Sequence, residues 1–489
     1  MRNLMFILML AILPAALSAQ SRKDSLDMIF RDAAASMDSI VTGYNENAEA
    51  AFNEYLEFEK ALREEYREYI EKIQAEWGDE TAVESSQKVW VEYSDDDSFR
   101  TIVDFETGKV EVEILSNPSD SQQQREEKIR QALENLLSSR GRSVGYNSKV
   151  AEDEPITKNP ILEGMLDLSA YGISSDAYPV QGGGESAPID KSKYNLNKGK
   201  SLSINRGSAG RASEHGSMAA MAEKKREEEL RRQEELRRQE ELRRQEELRR
   251  QEEQQKADAE GSANGNAGNN KLTIKNIVNL IADKAKPEKE TVKTSNGTKD
   301  ILKIELQLVE NHIPKRAEQF KELVKANSAK FTVDQPLIFA IMEQESAFNP
   351  AAKSHVPAYG LMQLVPKSGG RDAYRYVHKQ DIIPSANYLY DPSNNVELGT
   401  GYLRLLMTTS FAKVKDSRCR MLCAIAAYNT GAGNVSRALI GSTNVSKAID
   451  KINSMTFDQL FSYLRSNLPH AETRDYIQKV TSKMEKYMK

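Results

Sequence analysis

The sequence is poor in residues that form covalent or metal crosslinks, with two cysteines and five histidines among 489 residues. Cys419 and Cys423 are four apart on a predicted helix, and a disulfide between neighbours on one helical face is geometrically awkward. We therefore expect two small buried thiols. The histidines show no metal-ligand spacing. The sequence predicts no disulfide framework, no metal site and no cofactor.

Long apolar runs are also scarce. One run, from Leu4 to Leu13, follows Arg2 and precedes small residues that end at Ala19, which is typical of a cleaved secretory signal. It is too short to span a bilayer comfortably, and no later segment predicts a transmembrane helix. No cysteine near the cleavage site offers a place for a lipid. We expect residues 1–19 to be removed and the protein to be exported to the periplasm or cell envelope, with at most a peripheral membrane association.

Charge is unevenly distributed along the chain. The composition is 39% hydrophobic and 29% charged, which is too polar for a chain folded throughout. The net charge is −5, yet residues 301–489 hold 25 Lys and Arg against 17 Asp and Glu, a balance of +8. A basic domain favours anionic partners such as nucleic acid, anionic lipid or the carboxylate-bearing peptides of a cell wall. Charge alone does not choose among them.

The first part of the mature chain predicts a small α+β domain at 20–140. Aromatic and aliphatic residues recur at helical spacing from Phe52 to Trp77, which indicates a long amphipathic helix. Alternating patterns at 88–94 and 100–115, broken at Gly108, predict strands with a hairpin. A polar helix follows at 121–139.

The middle of the chain predicts a spacer. Residues 141–222 are rich in Ser, Gly, Asp and Pro without periodicity, which favours a flexible linker. Residues 223–257 carry the repeat EELRRQ, in which Glu–Arg pairs three or four apart support a helix. Leucines every six residues do not stay on one face, so a coiled coil is excluded and a solvated single helix is expected. Residues 258–271 read as a hinge.

The last part, 272–489, predicts an all-α domain. Segments from ILKIELQLVE to ETRDYIQKVTSKMEKY have helical spacing, and no strand pattern is apparent. One helix is expected to begin at the N-cap Asp334, with Pro336 in its first turn.

That helix contains two glutamates in an apolar setting, AIMEQESAFNP. At about 100° per residue, Glu345 falls within the apolar stripe of Leu337, Ile338 and Ile341, whereas Glu343 lies roughly opposite and should be solvated. Burial raises the pKa of a carboxyl, as a general acid working near neutral pH requires. The alternative is that Glu345 sits at the edge of the stripe and reaches solvent or caps a neighbouring element.

Four motifs follow one another in this domain: ES-x-FNP at 345–350, S…GLMQ at 354–363, AYN-x-GAG at 427–433 and ETRDY at 472–476. Singly they read as helix stops and core aromatic residues. In this order and spacing they resemble the family 1 lytic transglycosylases, whose catalytic domain is lysozyme-like, of the goose type. The resemblance covers roughly 180 residues up to Val480. The hairpin VDFETGKVEVEIL resembles, more weakly, the N-terminal domain of a membrane-bound member.

The resemblance implies an enzyme that cleaves peptidoglycan glycan strands between N-acetylmuramic acid and N-acetylglucosamine, with Glu345 as single acid and base. It also implies substrate-binding residues: Ser346, Met362, Gln363, Tyr428, Asn429 and Tyr476. Glu345 would protonate the glycosidic oxygen and then take the proton of the muramyl C6 hydroxyl, which closes a 1,6-anhydro ring. Most glycosidases need two carboxylates. Here the intramolecular hydroxyl replaces the second one.

Two other functions fit parts of the sequence, a muramidase that uses water as nucleophile and a non-catalytic wall-binding scaffold. The lack of an evident second carboxylate opposes the first, and the joint presence of the motif residues opposes the second. A nucleic-acid binder would fit the positive charge, but export and the sugar-site residues oppose it. The chain departs from the family in lacking a lipid-bearing cysteine, in its His355-Val356-Pro357 loop and in the spacer.

Overall fold

The computed structural model describes residues 53, 56–58, 60–78, 83–143, 146, 148, 149, 154–174, 272–354 and 358–488. The expected signal peptide, the repeat helix, the hinge and most of the expected linker lie outside the described residues. The described parts belong to one compact unit. Within it we distinguish a sheet region, up to residue 308, and a helical region, from residue 312 onward.

The sheet region begins as the sequence predicts. Helix α1 (60–77) precedes the strands β1 (Val89–Tyr93), β2 (Phe99–Asp104) and β3 (Lys109–Ser116), which pair antiparallel. Helix α2 (Gln122–Ser138) begins at a capping box between Ser121 and Gln124. Alternate strand residues and the apolar face of α2 meet in one core, which includes Val103, Phe105, Val110, Val112, Ile114, Leu133 and Leu136.

The prediction of a helix at ILKIELQLVE is wrong. Helix α3 (Ile274–Lys284) is followed by strands β5 (Glu288–Thr294) and β6 (Gly297–Leu308), so residues 288–308 are not part of an all-α domain. Ile304, Leu306 and Leu308 are buried while Glu305 and Gln307 are exposed, so burial has a period of two. Over a short apolar segment, this pattern is difficult to distinguish from helical spacing. Tertiary pairing decides the conformation, because β6 pairs with β3 along eight residues.

The predicted flexible linker also begins too early at 141. Strand β4 (Leu166–Asp167) pairs with β6, and side chains between 156 and 173 enter the sheet core: Ile156, Ile161, Leu162, Met165, Leu166, Leu168 and Ile173. These apolar residues follow neither helical nor strand periodicity, so pattern analysis passes over them. The sheet order is β1-β2-β3-β6-β4, with β5 paired to β6.

The helical region confirms the prediction of helices from residue 312 onward. Its helices are α4 (His312–Gln319), α5 (Lys321–Phe331), α6 (Gln335–Ser346), α7 (Arg371–His378), α8 (Ala386–Tyr390), α9 (Pro392–Leu405), α10 (Ser417–Thr430), α11 (Ala432–Ile440), α12 (Val445–Asn453), α13 (Phe457–Asn467) and α14 (Ala471–Tyr487). The helix α6 packs along α14. Cys419 and Cys423 lie buried on α10 as free thiols, as expected.

The two regions meet beside the end of α6. The Lys353 amide donates to the Ser86 carbonyl at 3.4 Å, and Asn349 Nδ2 donates to the Gln87 carbonyl at 3.4 Å. The segment that leads into β1 therefore lies against the turn that follows α6.

Candidate active site

Helix α6 carries the two glutamates. It begins at the N-cap Asp334 with Pro336 in its first turn, as predicted, and ends where Ala347 adopts a left-handed conformation, with φ 50°. The predicted stripe of Leu337, Ile338 and Ile341 is buried. Glu345 falls within it and is only 9% exposed. The alternative of an edge residue that reaches solvent is therefore excluded for Glu345.

The surroundings of Glu345 favour its protonated form. Burial raises the pKa of Glu345 to about 7, although the hydrogen bond from Tyr476 acts in the opposite direction. The Tyr476 hydroxyl donates to Glu345 Oε1 at 2.6 Å. Two further charges act from a distance, since Glu472 raises the pKa and Lys88 of the sheet region lowers it. A carboxyl with this pKa can both give and accept a proton near neutral pH.

Glu343 behaves differently from the sequence expectation. It is 8% exposed rather than solvated, because α14 covers it: Lys483 and Lys486 form ion pairs with its carboxylate at 2.7 and 3.0 Å, and the Tyr487 hydroxyl donates to it. Burial acts to raise the pKa of Glu343, but these hydrogen bonds outweigh burial and hold it below the usual value. A helical period places a side chain on a face, and it does not reveal that a second helix brings lysines to that face.

The turn at 360–363 faces the end of α6. Gly360 has φ +75°, and a Cβ there would lie 2.4 Å from the Leu389 carbonyl oxygen and 2.5 Å from Asn395 Nδ2. Asn395 donates to the Tyr359 and Leu389 carbonyls and accepts from the Met362 amide. Sequence reasoning missed Asn395. Nothing in its own helix marks it, because α9 also carries polar residues at Ser393, Asn394, Glu397 and Thr400.

Met362, Gln363 and Ser346 support this turn. Gln363 has φ +47°, and its Nε2 donates to the Ala352 and Gly360 carbonyls, while its buried Oε1 has no partner among the described residues. The Ser346 hydroxyl lies 3.0 and 2.9 Å from the Met342 and Leu361 carbonyl oxygens. Ser346 and Met362 are fully buried. The orphan oxygen of Gln363 is thus a free acceptor in the turn.

Tyr428 and Asn429 lie at the end of α10, and Asn429 contacts the start of α14. The Tyr428 hydroxyl donates to the Met362 carbonyl at 2.8 Å, and the charge of Glu345 contributes, after burial, to the raised pKa of Tyr428. The Thr473 hydroxyl donates to Asn429 Oδ1 at 2.6 Å. Thr473 was not singled out, although it lies within the quoted ETRDY motif. The four motifs, which lie between residues 345 and 476 of the sequence, therefore converge around one buried carboxyl.

Across the described parts of the chain, no set of three or more His, Cys, Asp or Glu side chains is arranged to hold a metal ion. In the same parts of the chain, none of the helices combines the length and the apolar character needed to cross a bilayer.

Two family models match separate parts of the chain. Residues 322–451 match the transglycosylase SLT domain, and residues 55–167 match the N-terminal domain of membrane-bound lytic murein transglycosylase C. Curated relatives named membrane-bound lytic murein transglycosylase C include one from Klebsiella pneumoniae, 41% identical over 193 residues, and one from Salmonella typhimurium, 40% identical over 193 residues. Each alignment covers 40% of this chain and 53% of the relative. The chain thus spans about half the length of the curated relatives it matches.

Solved structures with local similarity are also lytic transglycosylases. One is the lytic transglycosylase Slt of Pseudomonas aeruginosa, with 29% identity, a TM-score of 0.26, and coverage of 34% of this chain and 23% of that one. Another is the 70 kDa soluble lytic transglycosylase of Escherichia coli, with 27% identity, a TM-score of 0.26 and the same coverage.

Proposed function

We propose that this chain, which carries a transglycosylase SLT domain and resembles membrane-bound lytic murein transglycosylase C, is a lytic transglycosylase acting on peptidoglycan glycan strands. The observation that carries the proposal is Glu345, a buried carboxyl with a pKa of about 7 that accepts a hydrogen bond from Tyr476. The four motifs of the family surround it.

The proposed reaction uses Glu345 twice. Its carboxyl protonates the oxygen of the β-1,4 bond between N-acetylmuramic acid and N-acetylglucosamine, and that bond breaks. The resulting carboxylate then takes the proton of the muramyl C6 hydroxyl, whose oxygen bonds to C1 and closes the 1,6-anhydro ring. The proton lost in the first step is regained in the second, so neither water nor a cofactor is consumed. The intramolecular attack also avoids the entropy loss of bringing in a separate nucleophile.

We divide the remaining site residues into those that bind substrate and those that support the site. Gln363 keeps a free acceptor oxygen, and Tyr428 and Asn429 end the neighbouring helix; we assign these three to substrate binding. Tyr476 orients Glu345 and favours its charged form after the first proton transfer. Ser346 and Met362, which the resemblance assigns to substrate binding, are fully buried, so we assign them instead to supporting the turn at 360–363.

A hydrolytic muramidase is the second candidate, and one observation favours it. Glu472 lies near enough to raise the pKa of Glu345, so a second carboxylate is present, at the start of α14. An inverting hydrolase uses such a carboxylate to activate water on the opposite side of the sugar. The products distinguish the two reactions.

The organisation that we propose places the function in the cell envelope. The N-terminal sequence is typical of an exported protein, and relatives are named membrane-bound. Residues 272–308 complete the sheet region, which the spacer interrupts, and the catalytic domain begins near residue 312.

The test is mass spectrometry of muropeptides that the mature protein releases from purified peptidoglycan. We expect anhydro products, lighter by one water than hydrolysed ones, from the wild type and from Glu472→Gln, and none from Glu345→Gln. Reducing-end products that disappear in Glu472→Gln would establish the muramidase. Binding of peptidoglycan without products from any of the three proteins would establish the scaffold.

A further inference from the structure

The turn that follows α6, directly after the candidate acid, has a strained backbone. Ala347 and Phe348, which follow Glu345 closely, both have left-handed backbones, with φ of 50° and 60°. Residues other than glycine keep this conformation only where their surroundings impose it. The position of the Glu345 carboxyl therefore depends on what fixes this turn.

The side chain of Arg316, on α4, fixes this turn by binding a backbone carbonyl of the turn. Its Nη2 donates to the Phe348 carbonyl, while the Phe348 ring is fully buried against Phe320 and Phe339, with ring centroids 6.4 Å away in each case. The acceptor of this hydrogen bond is the carbonyl of Phe348, the second of the two strained residues. Loss of Arg316 would free that carbonyl.

The other side of Arg316 faces the sheet region. Its guanidinium carbon lies 3.5 Å from the centroid of the Phe105 ring, and Phe105, just after β2, is fully buried. The Phe105 amide donates to the carbonyl of Lys88, the residue next to Gln87, whose carbonyl accepts from Asn349. The sheet region thus touches the turn both directly and through Arg316.

The cost of burying Arg316 indicates a role other than stability. It is 2% exposed, it forms no ion pair with a carboxylate among the described residues, and its Nη1 has no partner among them. An unpaired buried charge is unfavourable, and an apolar side chain of similar size would pack there more favourably. A guanidinium is needed only if it must hold a carbonyl while stacking on a ring.

We propose that Arg316 is a positioning residue that couples the docking of the sheet region to the turn holding Glu345. The sheet region then sets the geometry of the acid, and the helical region alone is less active than the whole chain. This inference rests on the proposed function, and it goes beyond it in assigning a catalytic consequence to the contact between Phe105 and Arg316.

The experiment compares Arg316→Met and Phe105→Leu with wild type, and Arg375→Met, at an exposed arginine of α7, serves as matched control. Release of muropeptides gives kcat and KM. We expect kcat to fall about tenfold to a hundredfold in Arg316→Met, and less in Phe105→Leu, with KM within about twofold, because misplacement of a reacting group affects chemistry more than binding. Unchanged kcat in folded Arg316→Met and Phe105→Leu would overturn the proposal, as would kcat losses equal to the loss of folded protein.

Hydrogen exchange gives a readout that is independent of activity. Amides of residues 346–353 should exchange faster in Arg316→Met and Phe105→Leu than in wild type and in Arg375→Met. Phe105→Leu leaves Arg316 in place, so it remains informative if Arg316→Met does not fold. If the wild type releases no muropeptides, the proposed function fails and exchange alone decides: faster exchange at 346–353 supports the coupling, and unchanged exchange there overturns it.

Discussion

Replacement of Glu345 by Gln should stabilise the protein at neutral pH. The folded state holds the pKa of Glu345 at about 7, against an ordinary value of 4.5. The protonated carboxyl contributes fully to the free energy of unfolding below the pKa of the unfolded state. This contribution is lost as the pH rises through the pKa of the folded state. A difference of about 2.5 units at about 1.4 kcal/mol each corresponds to about 3 kcal/mol. Glutamine is neutral at every pH and can accept the Tyr476 hydrogen bond.

The assay is urea unfolding followed by far-ultraviolet circular dichroism, because both tryptophans, Trp77 and Trp90, report on the sheet region. We expect the free-energy difference between Glu345→Gln and wild type to grow by about 3 kcal/mol from about pH 4 to about pH 8. Glu343→Gln is the matched control, because its effect on stability should change with pH in the opposite direction. The pKa of Glu343 is held low by its lysines, so its stabilisation is present at neutral pH and lost in acid.

A difference for Glu345→Gln that stays constant across this pH range, or that shrinks as pH rises, would refute the raised pKa. The same result would remove the main support for Glu345 as an acid. Glu343→Gln should be less stable than wild type at neutral pH and should approach it in acid.

Two further predictions concern the surroundings of Glu345. In Tyr476→Phe the carboxylate loses a charge-assisted hydrogen bond of about 1.5–3 kcal/mol, so the pKa of Glu345 rises and the alkaline limb of kcat/KM should move up by about 1–2 units; a limb that stays in place or moves down would contradict the assigned contact. Gly360→Ala should cost about 3 kcal/mol in unfolding free energy, because its Cβ meets backbone oxygen at a left-handed position. Gly441→Ala, equally left-handed but with open space around it, should cost less, and equal costs would show that contact with Leu389 is not responsible.

Local sequence patterns were sufficient to predict an element where the signals that set its limits lie within that element. The hairpin around Gly108 and the helix α6 were predicted with nearly the observed limits, because turn residues and the first-turn Pro336 act within a few positions. The buried position of Glu345 followed from the spacing of its own helix. The strand β6 was mistaken for a helix, since its buried residues satisfy both periods over a short window and only β3 settles the choice.

The sequence by itself singled out the candidate acid: the order of four motifs pointed to one carboxyl, Glu345, and helical spacing placed it among apolar neighbours. Only the tertiary structure decided how that carboxyl is held. Its surroundings come from segments distant in the chain: the hydroxyl of Tyr476, the lysines that pair with Glu343, and the contact of Phe105 with Arg316. Contacts of this kind depend on the packing of whole elements, whereas a periodic pattern records only which face of its own element is apolar.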